Sequence, residues 1–154
     1  LRAFGKRYRI PLTRGLKGED LDGLVRAHPI DDTWSALEYA CHYRDVAAIQ
    51  RDRLDHALVE NDFEPPSMRG EERVASGHYE GLQPGAVADE LEANVEALAA
   101  FVEGLSGEQL ARTMFYNYPE RATRELEWVV KHTVHEGEHH LLDVGRVLRA
   151  ARGR

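Results

Sequence analysis

The sequence predicts an all-α fold, a four-helix bundle with long connections, and three observations carry that prediction. Apolar residues recur at three- and four-residue steps over long stretches, one such stretch opens with a complete helix-start signature, and no stretch alternates strongly enough to build a sheet. With 154 residues, 42% hydrophobic and 31% charged, the chain is expected to form one domain over residues 1–154 around a single core.

Residues 1–17 have helical composition and read as the end of a first helix, which Pro11 either kinks or restarts. Residues 18–34, rich in Gly, Asp and Pro, are expected to be a loop. The second helix starts at Ser35. Ser35 with Glu38 forms a capping box, Trp34 with Tyr39 a hydrophobic staple, and the helix should run without Gly or Pro to about Val59. Residues 60–85 exceed an ordinary helix–helix loop, so they are functional or contain a short helix near Glu71–Ala75. The third helix spans about Ala86–Leu105, with Val87, Leu91, Val95, Leu98, Val102 and Leu105 on one stripe. Between 106 and 122 the sequence suggests a short helical turn, then an aromatic segment, Met114–Pro119, in extended or turn conformation. The fourth helix is expected from about Thr123 to Arg152.

Composition excludes several function classes. The net charge of −7 and the lack of a clustered basic face argue against a nucleic-acid partner. The basic stretch Arg2–Arg9 reads as a solvated helix end. No apolar run reaches the ~18–20 residues of a membrane span, so no membrane partner is expected. A single cysteine, Cys41, rules out an internal disulfide and fits a cytoplasmic location. Residue 1 is Leu, so the natural N-terminus is expected upstream.

The histidines carry the chemistry. Of eight, four fall between 132 and 140. In the second helix Tyr39, His42, Val46 and Ile49 share a face, so His42 should point into the bundle, with Asp45 one turn on to flank it or orient its ring. On the last helix Leu126, Val130, Val134, Leu141, Val144 and Leu148 cluster on one side, which Val129 and Val147 extend. Glu136, His140 and Asp143 lie on the edge of that side, within about 60° of one another. His135 and His139 point almost opposite, among charged residues. His42, Glu136 and His140 are therefore the expected metal ligands, with Asp45, Asp143, His135 and His139 as supporting or alternative groups. Two interior imidazoles and a carboxylate suit a divalent ion: Zn, Ni, Fe or Mn. A competing reading takes His135-Glu136-Gly137-Glu138-His139 as H-E-x-x-H, a zinc-hydrolase signature with Glu136 as general base. Gly137 inside the helix, and the absence upstream of any sheet edge to hold a peptide, weigh against it.

The segments Trp34–Asp45 and His135–Val144, in this order and over most of the chain, resemble the DinB/YfiT-like superfamily. The resemblance implies a divalent metal held by one His on the second helix and two, four residues apart, on the fourth. Aligning the terminal signature on His140-Leu-Leu-Asp-Val puts the last ligand at His140, and Glu136 then stands where a His is usual. What the family implies about activity is broad: thiol S-transferases using bacillithiol or mycothiol, a mycothiol-dependent maleylpyruvate isomerase, and domains in ergothioneine biosynthesis. A small-molecule substrate and a low-molecular-weight thiol cofactor follow from it, and a homodimer by analogy with such bundles. Cys41 lies about 100° around the helix from His42 and reads as a small core residue, so the thiol would come from outside. Arg44, Arg69, Tyr116 and Tyr118 are candidates for the pocket mouth. The alternative outside enzymology is a metal-binding or stress-response module that keeps the bundle without the catalysis.

Overall fold

The computed structural model describes residues 1–154. Four long helices form the bundle: α1 (Ala3–Thr13), α3 (Ala36–Val59), α5 (Pro84–Glu103) and α7 (Leu126–Ala151). Three short ones, α2 (Leu21–Arg26), α4 (Gly70–Ala75) and α6 (Gly107–Leu110), lie in the connections. Strands β1 (Thr113–Tyr116) and β2 (Ala122–Glu125) precede α7. α3 packs between α5 and α7, and α1 lies against α5.

The helix-start chemistry is as the sequence predicts. Ser35 Oγ accepts from Glu38 N at 3.2 Å, and Glu38 Oε2 accepts from Ser35 N at 2.7 Å. This satisfies two of the N–H groups a helix start leaves open. Pro84 begins α5, where its missing N–H removes no helical bond. Four residues of its predicted stripe, Val87, Leu91, Val95 and Leu98, are buried. Pro11 sits inside α1, which continues two residues beyond it.

Elsewhere the connections are more structured than expected. The predicted loop 18–34 contains α2, whose first turn is capped by Asp20 accepting from Gly23 N at 3.1 Å. α7 begins at Leu126 rather than Thr123, because residues 122–125 pair with β1. The antiparallel register is Thr113↔Glu125, Met114↔Arg124, Phe115↔Thr123 and Tyr116↔Ala122. Phe115 N also donates to Phe63 O at 2.9 Å, so the ribbon is anchored to the chain leaving α3. The basic N-terminal stretch stays largely exposed, as expected, but its arginines are also paired across the bundle. Arg2 pairs with Glu96 and Glu103, Arg9 with Asp89 and Glu92, and Arg7 with Glu138, which ties α1 to α5 and α7.

The centre of the bundle is aromatic. Tyr8 and Tyr43 stack at 5.2 Å with Phe4 edge-on, and both hydroxyls bond to α7 carbonyls: Tyr8 to Gly137 O at 2.9 Å, Tyr43 to Thr133 O at 3.3 Å. Gly137 makes this possible. A Cβ there would lie 2.5 Å from Tyr43 Cζ and 2.9 Å from Phe4 Cε2, so only glycine lets α7 approach this closely. The most deeply buried line of α7 accordingly runs through Val129, Thr133, Gly137, Val144 and Val147, while Val130, Val134 and Leu141 are only half-buried.

Candidate metal centre

The cap that starts α3 also sets its rotation. Trp34 packs on Tyr39 at 5.2 Å, stands edge-on to His42 at 5.1 Å and stacks on His140 at 6.2 Å. The staple residue is thus a wall of the site. His42 on α3 is buried, and its ring meets that of His140 on α7 at 4.9 Å in a T-shaped contact. Glu136, one turn before His140, brings Oε2 to 3.5 Å from His140 Nε2 and Oε1 to 3.7 Å from His132 Nε2. One donor atom from each of His42, Glu136 and His140 lies within 4.8 Å of the others.

The polar bookkeeping of this cluster is incomplete. His42 Nδ1 and both ring nitrogens of His140 are buried without a hydrogen-bond partner. Buried polar atoms are nearly always satisfied, so orphaned imidazole nitrogens beside a carboxylate fit the donor set of a divalent cation. Donors around one ion at ~2.1 Å stand at most ~4.2 Å apart, so closing the set takes only a small side-chain adjustment. The charge states suit it too. Burial, helped by the neighbouring His140, lowers His42 to about 4, so its ring is neutral at pH 7. Burial pushes the Glu136 carboxyl up, but His140, His132 and His42 outweigh it and hold Glu136 below its ordinary value, hence ionised.

These groups open onto a cavity of about 350 Å³ between α3, α7, residues 65–71 and residues 116–118. Val46 and Ile49 line it beyond His42, and Arg69, Tyr116 and Tyr118 line it as the sequence suggests. Arg69 takes a left-handed backbone (φ 53°) and leads Gly70 onto the His42 ring. A Cβ on Gly70 would lie 2.7 Å from His42 Cε1.

Other expected residues sit elsewhere. Arg44 is outside the cavity, held by Asp45 and by Glu90 at 2.9 Å. Asp45 does not orient His42: its carboxylate accepts from Arg73 at 2.7 Å, Tyr79 at 2.9 Å and Arg44 at 2.9 Å. Asp143 bonds no imidazole, lying 3.7 Å from His140 Nδ1 and 3.0 Å from Arg146. His135 and His139 are exposed and stack on each other at 6.0 Å, outside the donor cluster. Cys41 is fully buried with its thiol pushed up to about 12 by desolvation, as befits a packing residue.

Sequence reasoning missed His132, Gln50 and Arg53, all of which line the cavity. The same helical count could have found them. His132 precedes Glu136 by four residues, and Arg53 follows His42 by eleven, three turns along one face.

A family model described as the DinB superfamily matches residues 16–144. The chain belongs to the DinB superfamily. The structure superposes on YfiT from Bacillus subtilis, described as "a probable metal-dependent hydrolase with an unusual four-helix bundle topology". The TM-score is 0.79 at 14% identity, over 96% of this chain and 83% of that one. At that identity the likeness is one of fold. A comparison with curated proteins finds no significant match. Within the DinB bundle the ribbon β1–β2 is the only sheet, and no helix is long and apolar enough to cross a membrane.

Proposed function

We propose that this DinB-superfamily protein is a metal-dependent enzyme acting on a small molecule, with a divalent ion held by His42, Glu136 and His140. The observation that carries the reading is the convergence of these three donors, two of them imidazoles with orphaned nitrogens, at one end of a cavity. A bound Zn, Ni, Fe or Mn ion would supply Lewis acidity, favouring the deprotonated form of a thiol or a water at neutral pH.

The chain's own groups prepare that chemistry. His42 is already neutral at pH 7, so ligation displaces no proton from it. Glu136 contributes the single negative charge that partly offsets a dication. Trp34 and Gly70 cover the His42 ring and limit the approach of bulk water. Cys41 is buried and its thiol is held protonated, so a thiol nucleophile would be a separate small molecule. What the DinB/YfiT-like resemblance implies makes thiol S-transfer or isomerisation with a low-molecular-weight thiol in the cytoplasm the preferred reaction class. The likeness to YfiT favours hydrolysis as the second reading, with water in the thiol's place.

Elemental analysis of the purified protein, with thiol-consumption assays on metal-loaded samples against diverse electrophiles, tests this. One ion per chain and thiol turnover are expected. Ester or amide hydrolysis without thiol turnover would move the assignment to a hydrolase. Metal binding with no turnover of either kind would leave a non-catalytic binding module.

A further inference from the structure

The end of the cavity away from the three donors holds a cation with no anion. Arg53 is half-buried, and its Nε has no hydrogen-bond partner. Its Nη2 donates to the Pro66 carbonyl, and Nη1 reaches Gln50 Oε1 only at 3.5 Å. No carboxylate acts on it, and burial lowers its affinity for a proton. Other arginines near the cavity differ: Arg69 lies 3.6 Å from Glu72, and Arg73 and Arg44 share Asp45. A half-buried guanidinium without a counter-charge is unfavourable in the free protein. It is also the group best suited to gripping a planar oxyanion.

Its neighbours complete the seat. Gln50 Nε2 donates to the Tyr116 oxygen, which leaves the phenol hydrogen uncommitted and the ring fixed against Trp128 and His132. His42 and Arg53 are eleven residues apart on one face of α3, or ~16 Å along the axis. Val46 and Ile49 lie between them.

We propose that Arg53, with Tyr116, seats a carboxylate of the substrate, whose reactive end reaches across an apolar spacer toward His42, Glu136 and His140. A carboxylate fits better than a phosphate because the single positive charge of Arg53 matches a monoanion. The proposal rests on the metal reading only for where the reactive end lies; the arginine seat stands without it.

The test titrates the full-length protein, metal-free and zinc-loaded, with hexanoate, its neutral isostere hexanamide, and hexyl phosphate, by NMR. Hexanoate is expected to bind at least ~10-fold tighter than hexanamide, the worth of one charge-assisted bond. Arg53→Gln should erase that ratio in the metal-free form, where no zinc can hold the carboxylate, Arg53→Lys should keep part of it, and His140→Ala should leave it unchanged in that form. Because Arg53 also holds the Pro66 carbonyl, the ratio is the decisive readout: loosening the loop would weaken both ligands equally. In the metal-free protein, equal binding of hexanoate and hexanamide, or a ratio that survives Arg53→Gln, would overturn the proposal. Tighter binding of hexyl phosphate would overturn the carboxylate assignment. Failure to take up zinc would count against the metal reading alone.

Discussion

His139 and His140 are adjacent in sequence but occupy different surroundings. His139 is exposed and stacks on His135 at 6.0 Å, both among charged residues on the outer face of α7. His140 is turned inward beneath Trp34, 4.9 Å from His42, with neither ring nitrogen hydrogen-bonded. The outer pair belongs to the conspicuous H-E-x-x-H string; the inner His140 does not. Glu136 belongs to that string, yet it faces the inner site. The difference teaches that on a helix a ligand set is defined by its face and by what packs opposite it, and a consecutive motif can straddle two environments.

The sharpest way to break the comparison is to remove one histidine at a time. His42→Ala and His140→Ala should each lower divalent-metal affinity by more than ~100-fold, since loss of a mere supporting group already costs 10–100-fold. His135→Ala and His139→Ala should leave it unchanged. Calorimetric titration with zinc reads the four variants, and the opposite pattern would restore the zinc-hydrolase reading.

Next in size is the response of the metal-free protein to acid. An exposed imidazole takes up a proton near 6.5, whereas buried His42 does so only at about 4. Between those values the unfolded chain binds a proton that the folded chain refuses. Stability should therefore fall as the pH drops from 6.5 toward 4, by on the order of 3 kcal/mol. Urea midpoints across this range measure it. His42→Gln should flatten the slope; parallel curves for wild type and variant would mean that His42 is not the group responsible.

A third face of α7 is probed by Gly137→Ala. The new Cβ would sit 2.5 Å from Tyr43 Cζ, and overpacking of this kind costs about 1–3 kcal/mol, against a helix-propensity gain of about 1. A net loss of stability is expected, with metal affinity little changed. Unaltered or raised stability would show that the aromatic cluster yields.

The smallest effect should come from Gly70→Ala. Its Cβ would press His42 Cε1 at 2.7 Å and turn the ring. Zinc affinity should drop about tenfold, as for a residue that only positions a ligand, with thermal stability nearly unchanged.

Much of the site was legible because helical geometry is local. Ser35 and Glu38 announced the start of α3, and counting from there put His42 inside. The same counting on α7 separated Glu136 and His140 from His135 and His139. Asp45 shows the limit. Spacing placed it one turn from His42, but Arg73 and Tyr79, from residues 70–79, claim its carboxylate. The ribbon was missed for a related reason: residues 122–125 could continue α7 or pair with β1, and the anchor at Phe63 lies more than fifty residues away.

The sequence by itself determined the bundle, the start of α3 and the inward faces carrying His42, Glu136 and His140, because backbone periodicity and capping act within a few residues. Only the tertiary structure decided that Gly70 closes on His42, that Trp34 covers both imidazoles and that Arg53 faces the same cavity without a carboxylate. Those facts depend on how the connections fold back on the helices, and loop closure is governed by contacts between residues far apart in the chain.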